Sequence, residues 1–200
     1  MTCRRFPGAC RFKSEFTEMI DKHSSELPEM GVVGLGLMGC SITTCFLMAG
    51  HTVVAIAPIA IDLEHAEKRI HDHLVRSAEH GLITEPPEYY FQRLTITGNY
   101  EALKNCDVVV ECTLERIDIK KSVYEKIEAV IHDNAILTSN TSAIPISILQ
   151  KQTRYPRRFF GLHWAEPSHT TRFLEIICGD DSDPVLAEQL YDLSHRWGKE

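Results

Sequence analysis

The sequence predicts an α/β fold, a doubly wound and mostly parallel sheet with helices on both faces. Three observations carry that expectation. Short apolar runs alternate with longer helical patterns along most of the 200 residues, the order that βαβ units produce. The first run leads straight into Gly34-Leu35-Gly36-Leu37-Met38-Gly39, the G-x-G-x-x-G spacing of a strand that turns into a helix around a pyrophosphate. The run Val108-Val109-Val110 is continuously apolar, as suits a strand of a parallel sheet buried on both faces. The class is therefore Rossmann-type.

Element by element, residues 1–29 read as an N-terminal extension, with a short polar helix or linker over 14–29, and residues 30–200 as a dinucleotide-binding domain. A strand over 30–33 is followed by a helix over 38–49 that Gly50 stops. A second strand spans 51–57, and Pro58 opens a long charged helix over 59–80 that Gly81 ends. Pro86-Pro87 introduces a helical piece at 88–93, then a strand at 94–97 and a helical turn at 100–105. Beyond these come a strand at 107–112, a helix at 118–132, a strand at 135–139 and a short helix at 144–150. Strands at 159–164 and 173–178 and a helix at 184–197 close the order.

Composition bounds the function. The chain is 44% hydrophobic and 24% charged, with a formal charge of -7, which argues against a general nucleic-acid or membrane-surface role. No apolar run approaches the roughly 20 residues that span a bilayer. Seven cysteines, an odd number with no C-x-x-C pair, read as buried thiols of a reducing compartment, and the expected location is cytoplasmic. Arg4, Arg5, Arg11 and Lys13, with no acid among the first 13 residues, leave two readings, a cytosolic extension or an organellar presequence. His65, His71, His73 and His80 read as solvated helix surface and not as a metal site, since His-x-His does not share one helical face.

In the glycine loop, Gly34 allows the tight turn, Gly36 the approach of a pyrophosphate and Gly39 close packing of helix on strand. Three later segments fall at strand ends, where ligands of open α/β sheets collect: Ser139-Asn140-Thr141-Ser142-Ala143-Ile144-Pro145, Gly161-Leu162-His163-Trp164 and Phe173-Leu174-Glu175-Ile176. A histidine titrating near neutrality suits proton transfer, and a carboxylate beside it fixes its tautomer. Ser142 also suits a helix cap, and Glu115 with Lys120 also suits an ordinary solvated pair.

Taken together, GLGLMG, VVVECTLERIDIKK, SNTSAIPI, GLHW and FLEII resemble the NAD-binding domain of the 3-hydroxyacyl-CoA dehydrogenase family over about residues 30–200. The resemblance implies NAD as cofactor and reversible oxidation of an L-3-hydroxyacyl-CoA, of short chain such as 3-hydroxybutyryl-CoA, to the 3-ketoacyl-CoA. It places His163 on the family's general base, Glu175 on its orienting carboxylate and Ser142 on the serine that meets substrate and cofactor. Gly34, Leu35, Gly36, Leu37, Met38 and Gly39 fall on the phosphate loop, and Glu115 and Lys120 on residues lining the nicotinamide–ribose site. An acyl-CoA partner follows from it, as does a homodimer formed through a C-terminal helical domain that these 200 residues do not contain.

Four positions depart from the family. Ala57, before Pro58, stands where an acidic residue about 20 residues past the loop binds the adenosine ribose. Glu166 stands before Pro167 where the family has asparagine, putting negative charge near the reacting carbonyl. His73 and His80 occupy positions on the long helix that meet coenzyme A. These departures keep two alternatives open, a dehydrogenase of a small polar hydroxy acid (gulonate- or carnitine-like) and a non-catalytic binding protein on a degenerate scaffold. A third, a β-hydroxyacid dehydrogenase, shares the GLGLMG-like loop and the AGH-T-V strand, but SNTSAIP and GLHW argue against it.

Overall fold

A computed structural model describes residues 27–200, so the expectations for residues 1–26, including most of the linker and Cys3 and Cys10, lie outside the described residues. Seven strands form one sheet: β1 (Met30–Val33), β2 (Val53–Ile56), β3 (Leu94–Thr97), β4 (Val108–Glu111), β5 (Ile136–Ser139), β6 (Phe159–Trp164) and β7 (Leu174–Cys178). Six α-helices connect them: α1 (Leu37–Met48), α2 (Ala60–Glu79), α3 (Pro87–Phe91), α4 (Ile117–Glu128), α5 (Ile146–Gln150) and α6 (Pro184–Arg196). Short 3₁₀ turns fall at Tyr100–Asn105 and Pro156–Arg158.

The strand order is β3-β2-β1-β4-β5-β6-β7. β1 to β6 pair in parallel, and β7 returns antiparallel to β6. The link over 165–173 holds no helix, and a parallel crossover takes about a dozen residues or more, so the last strand can only turn back. β1, β2, β4 and β5 are buried throughout, and their alternate residues feed two cores. Val32, Ala55, Val108 and Val110 join Phe46, Leu74 and Leu190 on the face covered by α1, α2 and α6. Val33, Ile56, Val109 and Leu137 join Tyr124, Ile127 and Leu149 under α4 and α5. Helices therefore cover both faces, as expected.

An aromatic cluster fastens α6 to α1 and β6. Phe46 meets Trp164 edge-on at 5.6 Å and Trp197 at 4.9 Å. The Trp197 indole N–H donates to His51 Nε2 at 3.0 Å, which leaves His51 Nδ1 to carry the proton toward the Pro28 carbonyl at 2.8 Å. Burial lowers the His51 pKa, in keeping with this neutral tautomer. His51 was expected to open the second strand; it lies ahead of β2 and closes the turn after α1.

Two surface expectations are corrected. Cys40, Cys45 and Cys106 are buried, but Cys112 is only partly so and Cys178 is exposed, because β7 is an edge strand whose outer residues have no covering layer. The helical histidines are not all solvated: His73 lies against Thr44 of α1 at 3.3 Å and stacks on His169 at 4.6 Å, since it shares the inward side of α2 with Ala66, Ile70 and Ser77. No helix among the described residues is long and apolar enough to cross a membrane.

Phe46 has no exposed surface and touches three aromatic rings. Phe46→Ala is expected to lower the unfolding free energy by about 3–5 kcal/mol, measured by urea denaturation.

Candidate active site

β1 is followed by Gly34, whose φ of +98° turns the chain; a Cβ there would sit 2.8 Å from the Cys112 carbonyl oxygen. A Cβ at Gly39 would come 1.8 Å from the Gly34 carbonyl oxygen, so only glycine lets α1 start this close to β1. Gly36 differs, because nothing lies within 4 Å of where its Cβ would be. The fold does not require glycine at that position, but a ligand approaching the backbone does. α1 has Gly36 as N-cap with no side-chain cap, and its first intrahelical bond runs from Cys40 N to Gly36 O. The amides ahead of it are left for an anion, at a helix end carrying about half a positive charge. These features fit a dinucleotide pyrophosphate.

Across the sheet, His163 on β6 and Glu175 on β7 are register partners, and His163 Nδ1 meets Glu175 Oε2 at 2.7 Å. Direct cross-strand neighbours stand about 5 Å apart at Cβ, which puts imidazole and carboxylate in reach. Phe173 packs edge-on against the ring at 6.0 Å. The other nitrogen, Nε2, lies 3.2 Å from Ser142 Oγ. With Nδ1–H donating to the carboxylate, Nε2 is the acceptor and the serine hydroxyl donates to it. The three expected residues His163, Glu175 and Ser142 are thus in one chain of contacts.

Ser142 is held by Glu115. Oε1 of that carboxylate accepts from Thr141 Oγ1 at 2.5 Å and from the amides of Ser142 and Ala143, each at 3.0 Å. Burial pushes the Glu115 pKa up, but the Thr141 and Ala143 hydrogen bonds and the Lys120 ammonium outweigh it and hold the group below the ordinary value. The helix-capping reading of Ser142 is not met: Thr141 Oγ1 takes the Ile144 amide at 3.1 Å.

Lys120 is no solvated partner. Its side chain is 1% exposed, with Nζ 2.9 Å from Glu111 Oε2 and 3.4 Å from Glu115 Oε2. Glu111, fully buried, also accepts from Ser139 Oγ at 2.7 Å, Tyr124 OH at 3.2 Å and the Thr113 amide at 2.6 Å. The sequence reading did not single out Glu111 or Tyr124. The signal was present: a carboxylate in an otherwise apolar strand needs a cation, and Lys120 follows one helical turn into α4. Asn140 was also passed over as an individual residue; its Oδ1 accepts the Trp164 amide at 3.0 Å and ties the end of β5 to β6 next to His163.

The 165–173 turn is pinned to α1. Ser41 Oγ accepts the Ser168 amide at 2.7 Å and meets His169 Nδ1 at 3.0 Å. Lys199 reaches the Ser168 and Thr171 carbonyl oxygens. Glu166 is exposed, and partial burial raises its pKa against the lowering effect of Ser41 and the Ser168 amide. Among the described residues, no group of three or more His, Cys, Asp or Glu is placed to hold a metal ion.

Comparison with known proteins places the chain in a family. The family described as "3-hydroxyacyl-CoA dehydrogenase, NAD binding domain" matches residues 29–200. The chain is 31% identical over 172 residues to 3-hydroxyadipyl-CoA dehydrogenase of Escherichia coli K12, covering 86% of this chain and 36% of that one. It is 30% identical over 167 residues to the 5-formyl-3-hydroxy-2-methylpyridine 4-carboxylate 5-dehydrogenase of Mesorhizobium japonicum, covering 82% of this chain and 53% of that one. The structure of (S)-3-hydroxybutyryl-CoA dehydrogenase from Ralstonia eutropha superposes with a TM-score of 0.82 at 27% identity, covering 87% of this chain and 62% of that one. The chain thus spans between 36% and 62% of the length of these relatives.

Two outcomes follow. Gly36→Ala is expected to keep the melting temperature but to weaken NADH binding at least about tenfold, whereas Gly39→Ala destabilises the fold; calorimetry and fluorescence titration separate the two. The second concerns pH. Burial first, then the charges of His73, Lys199 and Arg76, depress the His169 pKa from 6.5 to about 4, and burial also lowers His73. The unfolded chain then binds more protons below its own pKa, so this contribution to stability is full above pH about 6.5 and is lost toward pH 4. Melting temperatures across that window are expected to fall less steeply for His169→Asn.

Proposed function

The chain belongs to the 3-hydroxyacyl-CoA dehydrogenase family through its NAD-binding domain, and on that premise we propose that it oxidises a short-chain L-3-hydroxyacyl-CoA reversibly to the 3-ketoacyl-CoA. The observation that carries the reading is the Ser142–His163–Glu175 chain at 3.2 and 2.7 Å, at the carboxyl ends of β5 and β6.

In the proposed reaction His163 Nε2 takes the proton of the substrate hydroxyl. Glu175 keeps the proton on Nδ1 and stabilises the imidazolium that forms. Ser142 presents its hydroxyl beside Nε2 and orients the substrate oxygen. NAD, when bound, supplies the hydride acceptor, so the alcohol carbon loses a hydride as its oxygen loses a proton. Gly34, Leu35, Gly36, Leu37, Met38 and Gly39 would hold the pyrophosphate, and Glu115, kept ionised by the Thr141 and Ala143 hydrogen bonds and by Lys120, would hold the nicotinamide side through the 141–143 turn. A cytoplasmic location is part of the proposal and rests on the buried thiols of Cys40, Cys45 and Cys106.

One observation favours a second reading. Exposed Glu166 brings negative charge to the turn that follows the base, and a relative named for a pyridine carboxylate shares 30% identity. A small polar hydroxy substrate without coenzyme A would suit that turn.

The test is reduction of acetoacetyl-CoA by NADH with the intact protein, followed by a panel of free hydroxy acids. Turnover that requires the CoA thioester supports the first reading; turnover of free acids alone supports the second. His163→Ala is expected to lower kcat by about 10²–10⁴ with KM little changed. Full activity in that variant would remove His163 as the base.

A further inference from the structure

The end of β2 carries no acid, and the structure shows where one is held nearby. Val33 of β1 pairs with Ile56 of β2, and Gly34 N donates to Ile56 O at 2.9 Å, so Leu35 and Ala57 leave the sheet side by side. Ala57 is 5% exposed and offers no polar group to an adenosine ribose. Arg69, from the middle of α2, reaches back to this point and donates from Nη1 to the Leu35 carbonyl oxygen at 3.2 Å. The same nitrogen lies 3.8 Å from Asp62 Oδ1. Asp62 stands in the first turn of α2, where the helix dipole favours a carboxylate. Its side chain is 19% exposed against 43% for Arg69, so the carboxylate is the more enclosed of the pair, beside the guanidinium that is anchored on the Leu35 carbonyl oxygen.

We propose that Asp62, set in place by Arg69, is the carboxylate that receives the adenosine ribose hydroxyls, in place of the acid absent at Ala57. The recognition chemistry is unchanged, two adjacent hydroxyls donating to one carboxylate, but the acid comes from α2 instead of the end of β2. Arg69 is a positioning residue: anchored on the Leu35 carbonyl oxygen, it fixes Asp62 relative to the loop that cradles the pyrophosphate, and it offsets the repulsion between that carboxylate and the phosphates. A ribose bearing a 2′-phosphate would meet Asp62 as a like charge, so the site selects NAD over NADP. The inference rests on the NAD-binding reading of the glycine loop.

The test is equilibrium binding, read from the fluorescence of NADH and NADPH and from competition by AMP and 2′-deoxy-AMP. Asp62→Asn is expected to weaken NADH and AMP about tenfold and to leave the melting temperature unchanged. It should also abolish the preference of the unaltered chain for AMP over 2′-deoxy-AMP, an effect that a merely structural role would not produce. Adding Ala57→Asp to Asp62→Asn is expected to restore NADH affinity by returning an acid to the end of β2. NADH binding within twofold of the unaltered chain in Asp62→Asn, or a preserved discrimination against 2′-deoxy-AMP, overturns the assignment of Asp62 while leaving the NAD site intact. Failure of the unaltered chain to bind NADH at millimolar concentration overturns both.

Discussion

At the carboxyl end of β4, Glu111 and Lys120 face each other at 2.9 Å with almost no solvent around either side chain. Two buried charges cost several kcal/mol each in desolvation, so the pair persists only because its remaining hydrogen-bonding capacity is filled. Ser139 from β5, Tyr124 from α4 and Thr113 from the loop after β4 supply those partners. The result is a polar knot that joins β4, β5 and α4 where the sheet opens to ligand. Lys120 then passes its charge outward to Glu115, which gathers the 141–143 turn and sets Ser142 against His163. The placement of a surface serine is in this way fixed by an ion pair inside the protein.

The two halves of the site are built differently. On the β1 side the loop geometry is steric: Gly34 and Gly39 are glycine because backbone oxygens crowd them, whereas Gly36 is glycine with open space around it. On the β6–β7 side the geometry is electrostatic, from the register pairing of His163 with Glu175. Ser41 connects them, since it lies on the helix that follows the glycine loop and also holds the Ser168 amide and His169 of the turn between β6 and β7. A displacement of α1 would therefore be felt at the turn flanked by His163 and Glu175.

Much of this was legible in the sequence, and for physical reasons. The glycine loop and the apolar runs report backbone crowding and two-sided burial, both local constraints, and the element order followed from them. The site residues His163, Glu175 and Ser142 were legible as types at strand ends. The pairing of Glu175 with His163 was expected, since a carboxylate in an apolar strand needs a partner. The register that makes it was not, because it depends on β7 running antiparallel, although the lack of room for a helix over 165–173 carried that information. Glu111 was visible as a charge in an apolar strand and was passed over. The bonds of Ser41 and of Arg69 span 128 and 34 residues, and no spacing rule reaches them. His73 was misread because helical position alone does not reveal that His169 covers it.

The central claim is that Glu175 keeps the proton on Nδ1 of His163, leaving Nε2 free to receive a proton from substrate. Nitrogen chemical shifts of ¹⁵N-labelled histidine, assigned to His163 by comparison with a His163→Gln variant and recorded where the imidazole is neutral, report the tautomer directly. The account predicts an Nδ1–H tautomer with an unprotonated Nε2, converted toward a mixture by Glu175→Gln. A His163 that carries its proton on Nε2 in the unaltered protein would contradict it.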